Sequence, residues 1–169
     1  MDKQVSDEAN HRIVHISLEG ELGARGNPEV EHERKIAVFD LIEENYFQPV
    51  RSPGGPYALL LSVADNRLLF DIRNEAQEEM GQIMLSLTPF RRIIRDYFKV
   101  CDSYYEAIRS APPSKIEALD MGRRALHNEA SELLIQRLDG KIELDIDTAR
   151  RFITLISSLY FQGGAGRDL

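Results

Sequence analysis

The stretch from Tyr57 to Ile72 constrains this chain more than any other. It reads Tyr-Ala-Leu-Leu-Leu-Ser-Val-Ala-Asp-Asn-Arg-Leu-Leu-Phe-Asp-Ile, two apolar runs joined by Asp65-Asn66, a pair that tolerates the positive φ angles of a tight hairpin. Pairing across a two-residue loop sets Val63 opposite Leu68, Leu61 opposite Phe70 and Leu59 opposite Ile72. Side chains alternate along a strand, so Tyr57, Leu59, Leu61, Val63, Leu68, Phe70 and Ile72 share one face. Register and apolar pattern therefore agree. The opposite face carries Ala58, Leu60, Ser62, Leu69 and Asp71, a mixture that suits a surface half covered or in water.

Further elements assemble around this hairpin. Arg12 to Glu19 alternates, with Val14, Ile16 and Leu18 on one side, and reads as a strand. Asn27-Pro28 opens a helix, with Asn as cap, Pro at the first position and Glu29 and Glu31 in the positive first turn. That helix runs to about Asn45 and buries Val30, Ala37, Val38 and Leu41. Pro49 and the segment 52–56 break the chain before the hairpin. Gln82 to Leu87 supplies a third strand of the meander. Thr88-Pro89 then starts a second helix, whose stripe is Phe90, Ile93, Ile94, Tyr97, Cys101, Tyr104, Tyr105 and Ile108.

Pro112-Pro113 ends that helix, and Ser114 with Glu117 has the spacing of a capping box for a third. Lys141 to Leu144 is an edge strand or a connector. Asp145 or Asp147 caps a last helix holding Phe152, Ile153, Ile156, Leu159 and Tyr160. Strands followed by helices give an α+β fold, with a mainly antiparallel four-stranded sheet covered by a C-terminal group of three helices. The Thr88 helix is the natural cover for the apolar face. At 169 residues the chain is read as a single domain, 1–169, with loose termini at 1–11 and 163–169.

Composition narrows the function classes. The net charge is −7, which argues against a general nucleic-acid surface. The single cysteine, Cys101, rules out an intrachain disulfide and a Cys-based zinc site; inside an apolar stripe it reads as a buried structural thiol. The N-terminal thirty residues lack the apolar core of a signal peptide, and no run approaches a membrane span. A cytoplasmic protein is expected.

Five stretches carry a resemblance: Asn27-Pro-Glu-Val-Glu-His-Glu-Arg-Lys, Phe39-Asp-Leu-Ile-Glu-Glu-Asn, Gly55-Pro-Tyr57, Phe70-Asp-Ile72 and Thr88-Pro-Phe-Arg-Arg92. Over roughly residues 25 to 160 the chain is similar to a small uncharacterised protein family of alphaproteobacteria. The resemblance implies a bacterial cytosolic protein of about this length. That family carries no assigned activity, so no catalytic residue is transferred.

Glu29, His32 and Glu33 lie on one side of the first helix and contain the Glu-x-x-His half of a di-iron site. The second half is missing, because Arg124 precedes His127 at that spacing. The simpler account is that Glu29 and Glu31 answer the helix dipole, Glu31 pairs with Lys35, and His32 is solvated. Three arginine pairs, Arg91-Arg92, Arg123-Arg124 and Arg150-Arg151, sit in or near helices. Arg92, Arg124 and Arg151 have aspartates four residues away, at 96, 120 and 147. Arg91 and Arg95, with Lys99, form a ridge that suits an anion near a helix start, or simply coats a solvated face. Arg123 and His127 flank the apolar face of the third helix, as structural hydrogen-bonding residues or as the lining of a small polar pocket. Residues 53–56 and 163–166 fail the phosphate-loop pattern, and no cofactor is expected.

These features favour a non-catalytic interaction or regulatory protein that forms a homodimer or binds another protein, without nucleic acid or membrane. Self-association follows from the second and last helices, each with an apolar face wider than one neighbour needs, and from Tyr97, Tyr104 and Tyr105 as anchors. The competing class is a binding protein or enzyme for a small anionic metabolite, built on Arg91, Arg95, Arg123 and His127.

Overall fold

The computed structural model describes residues 10–23 and 28–160. The expected cap Asn27, the glycine-rich tail and most of both expected loose termini lie outside the described residues. The elements are β1 (Ile13–Gly20), α1 (Pro28–Glu43), β2 (Phe47–Pro49), β3 (Tyr57–Ala64), β4 (Arg67–Arg73) and β5 (Glu79–Ser86). They are followed by a 3-10 turn (Thr88–Phe90), α2 (Arg91–Ser110), α3 (Pro113–Leu138), β6 (Ile142–Leu144) and α4 (Ile146–Ser157).

The hairpin forms in the expected register, with Val63 opposite Leu68, Leu61 opposite Phe70 and Leu59 opposite Ile72. Asp65 and Asn66 take φ of 52° and 60° at its turn. All seven residues of its apolar face are buried. The sheet order is β1-β3-β4-β5. β1 runs parallel to β3, and the other two pairings are antiparallel, so the sheet is mixed with one parallel pair. Such a pair needs a crossover, which α1 supplies.

The core side of β1 differs from the simple alternation. The register slips between Ile13 and His15, so Val14 is the extra residue of a bulge. Ile13 and Ile16 are buried, and Val14 is only half-buried. A second, two-stranded sheet pairs β2 with β6; Lys141 to Leu144 is therefore largely strand, and its partner lies in a stretch read as a break.

The cover of the main sheet also differs from expectation. Phe152 of α4 meets Phe70 edge-on at 5.8 Å and Phe47 at 6.2 Å, and Phe47 packs on Tyr57 at 6.0 Å. α4 thus carries the aromatic centre, and its Phe152, Ile153, Leu155 and Ile156 are all buried. Ile146, at its start, stays exposed. α2 packs chiefly on α3 and reaches the core through Ile94 and Phe98, behind Phe90 of the 3-10 turn.

Helix ends follow local chemistry with two exceptions. Asp145 caps α4 by accepting from the Thr148 N–H at 2.9 Å, and Gly140, at φ 79°, takes the left-handed position after α3. Thr88 does not cap α2, because its hydroxyl accepts from the Asn66 amide at 2.9 Å and ties the hairpin turn to the helix start. Nor does the Ser114 capping box form. Pro112 holds the cap position and Ser114 lies inside the helix; Pro113 needs no capping of an N–H it lacks.

α1 and α4 are locked by arginines that run both ways. Arg34, buried on α1, donates to the Ser158 hydroxyl at 3.0 Å and to its carbonyl at the end of α4. Arg151 of α4 donates to the Glu44 carbonyl just past the end of α1 at 3.1 Å. Each cation meets the negative end of the other helix. Asn45 joins the same corner to the sheet. Its side-chain oxygen accepts from the Ile13 N–H at 2.8 Å, while its amide nitrogen donates to the Ile13 carbonyl at 2.9 Å and the Leu41 carbonyl at 2.7 Å. Asn45→Ala leaves both polar groups of Ile13 unpaired at the edge of β1. We expect it to lower the unfolding free energy by about 2–3 kcal/mol, measured by urea denaturation; a loss below about 0.5 kcal/mol contradicts the role given to this side chain.

Candidate functional site

The polar residues worth attention gather where α2, α3 and α4 meet. α3 presents Asp120, Arg123 and His127 at helical spacing, which puts them on one side. Arg123 binds Asp120 at 2.5 Å, and Arg124 binds the second oxygen of Asp120 at 3.2 Å. The Arg123 guanidinium carbon sits 4.8 Å from the centre of the Tyr104 ring, within cation–π range. His127 Nε2 lies 3.1 Å from the Thr154 hydroxyl of α4, and its ring meets Tyr97 of α2 edge-on at 5.6 Å. Arg150 of α4 reaches across to Asn128, whose side-chain oxygen accepts from both Nε and Nη2.

Charge and burial alter these groups together. The hydrogen bond from Arg123 holds the Asp120 carboxyl below its ordinary range, and the same bond raises Arg123. Burial lowers the pKa of His127, and the positive charges of Arg150 and Arg123 push it the same way. Burial raises Tyr97 and Cys101. Cys101 is a buried free thiol, in line with a structural reading.

The residues singled out from the sequence fall in different places. Arg123 and His127 share one side of α3, and Arg150, which the sequence places only in an arginine pair, reaches the neighbouring Asn128 from α4. Asp147 pairs with Arg150 at 3.4 Å rather than with Arg151, because Arg151 is drawn to Glu44. Arg91 is exposed at the start of α2, where its charge acts on Tyr160; Arg95 is half-buried one turn on. Glu29, His32 and Glu33 are exposed on α1. Asp71 is buried on β4 beside Arg73 at 3.2 Å. Among the described residues no group of three or more His, Cys, Asp or Glu is placed to hold a metal ion. None of their helices is long and apolar enough to cross a membrane.

Sequence reasoning missed a second polar chain. The Tyr57 hydroxyl lies 2.9 Å from both His11 Nδ1 and Ser52 Oγ, which fastens the start of β1 and the 51–56 loop to the core. Gly55 is required there, since an added Cβ would meet the Asn10 carbonyl oxygen at 1.7 Å. The Ser-Pro-Gly-Gly-Pro run signalled a turn; nothing in it signalled this contact.

Fold and site together define an α+β protein whose helical layer carries a cationic, partly buried polar cluster. The chain belongs to UPF0262, an uncharacterised protein family whose model matches residues 10–162. It is 56% identical over 156 residues to a UPF0262 protein of Rhizobium meliloti, covering 92% of this chain and 98% of that one. A Brucella anthropi relative is 57% identical over 155 residues, with 91% and 96% covered. One from Nitrobacter winogradskyi is 52% identical over 159 residues, with 94% and 95% covered. All three organisms are alphaproteobacteria. No solved structure matches the chain.

The depressed His127 sets the sign of one pH effect. The unfolded chain takes up this proton near pH 6.5 and the folded chain only at lower pH. Stability from keeping the ring neutral is present above about pH 6.5 and is lost as pH falls through the folded value. His127→Gln is expected to flatten the fall in urea midpoint between neutral pH and pH 5; an unchanged slope contradicts the assignment. Cys101 is expected to resist alkylation until denaturant is added, and prompt labelling of the folded protein contradicts its burial.

Proposed function

We propose that this protein is an interaction module that works as a homodimer, joined through the projecting ends of α2 and α3. One stripe of α2 carries the argument. Ile94, Phe98 and Cys101 are buried, and the same stripe at heptad spacing emerges as Tyr105 and Ile108, 60% and 50% exposed. The helix has outrun its cover. From Ile108 to Leu126 no residue is buried, and α4 is engaged at His127 and Asn128, so before those residues the two helices continue as a pair.

A helix pair buries only the seam between its members, and small helical units without further cover are marginal in water. A second copy brings an identical hairpin, and two antiparallel hairpins close a four-helix bundle around Tyr105, Ile108 and the half-buried Ile116. A two-fold interface has to be complementary to itself. The exposed flanks Glu106, Arg109, Lys115 and Glu117 carry both signs and meet that requirement. Tyr105 is the kind of aromatic anchor that interface centres favour.

A second reading, a binding protein for a small anionic metabolite, is favoured by Arg150 of α4 binding Asn128 beside His127, on the helix that also carries Arg123. The two readings are compatible, because the cationic cluster lies at the root of the same hairpin.

Light scattering at micromolar concentration is expected to return twice the chain mass for the wild type. Tyr105→Glu combined with Ile108→Glu is expected to return the single-chain mass with an unchanged far-UV spectrum. A wild type that stays monomeric, or a double variant that stays dimeric, rejects the hairpin interface.

A further inference from the structure

His127 touches Thr154 of α4, and the residue after it, Asn128, holds the guanidinium of Arg150 from that helix. Arg123 stands one turn before His127 on α3, Arg150 approaches from α4, and these are the charges that act on the ring. The other titratable groups of the cluster are Tyr97, Cys101, Asp102 and Tyr104 on α2, Asp120 and Arg124 on α3 and Asp147 on α4. Asp120 is engaged by Arg123 and Arg124 together, and Asp147 by Arg150.

The Thr154 hydroxyl has one hydrogen and donates it to the Arg150 carbonyl at 3.2 Å. Its contact with His127 Nε2 at 3.1 Å therefore needs the nitrogen to donate, and Nδ1 keeps the lone pair of the neutral ring. The fork of Arg150, made by Nε and Nη2, closes on the single amide oxygen of Asn128. That fork matches two oxygens of an oxyanion, and a neutral amide is a weaker acceptor than a charged one. Arg123 Nε is buried with no hydrogen-bond partner among the described residues.

We propose that Arg123, His127 and Arg150 bind a small divalent oxyanion, a phosphate or phosphate monoester, in the angle between α2, α3 and α4. A dianion can share its oxygens between two guanidiniums, whereas a monocarboxylate neutralises only one. It displaces Asn128 from the Arg150 fork and gives Arg123 Nε an acceptor. With both positive charges answered, His127 takes up a proton on Nδ1 and becomes a third donor. Binding is therefore linked to proton uptake. The site lies within one chain and does not depend on self-association of the hairpin.

The test uses sulfate, which stays divalent across the range, on the full chain carrying Tyr105→Glu and Ile108→Glu, so that self-association does not enter. The His127 imidazole resonance, assigned by its loss in His127→Asn, is titrated with sulfate and with sodium chloride at equal ionic strength. Sulfate is expected to raise the midpoint by about one pH unit, and its affinity is then about tenfold tighter at acid than at alkaline pH, as linkage requires. Inorganic phosphate is expected to compete with sulfate at fixed pH. Arg150→Gln and the charge-conserving Arg123→Lys separate the donors: the first is expected to abolish the sulfate response and the second to weaken it. A midpoint that sulfate moves no further than chloride does, or a full response in Arg150→Gln, overturns the proposal.

Discussion

Everything in this fold depends on the corner formed by Asn45, Tyr46 and Phe47. Asn45 imitates a neighbouring strand for Ile13 and at the same time donates to the Leu41 carbonyl at the end of α1. The Tyr46 N–H donates to the Thr148 hydroxyl at 2.9 Å, and the Phe47 N–H to the His11 carbonyl at 2.9 Å. Three consecutive residues thereby join a helix, the edge of the main sheet and the start of the last helix. The side chain of Phe47 then enters the aromatic centre with Tyr57, Phe70 and Phe152. Full burial of each such ring is worth roughly 1.5–3 kcal/mol, against at most about 1 kcal/mol for an exposed ion pair. The corner and its rings, rather than the surface charges, decide the stability of the body.

The helical layer divides into two regimes. Near the sheet, Phe90, Ile94, Phe98, Leu134 and Leu138 are buried against the body. Further out, the stripe of α3 that carries Leu138, Leu134 and Ser131 continues as His127, Arg123 and Asp120, while that of α2 stays apolar into the exposed Tyr105 and Ile108. A cation–π contact, a shared carboxylate and an imidazole therefore sit at the junction between dry core and projecting hairpin. Such a junction keeps electrostatic interactions stronger than in water while leaving a route to solvent. The proposed self-association and the proposed oxyanion site both arise from this transition.

The sequence by itself determined the elements whose causes are local. The hairpin was legible because alternation and a two-residue turn impose one register, and the start of α4 because Asp145 reaches an N–H three residues away. The position of α2 and the end of α3 followed in the same way from proline and glycine. Local signals also misled where a distant partner competed: Asn66 took the hydroxyl of Thr88, and Glu44 took Arg151 from Asp147. Tertiary structure alone decided the bulge at Val14, the pairing of two three-residue strands, the choice of α4 as the cover and the approach of Arg150 to Asn128 beside His127. The contacts responsible join residues 124 positions apart for Arg34 and Ser158 and 107 apart for Arg151 and Glu44. No periodicity encodes them, because they exist only once packing has brought separate faces together.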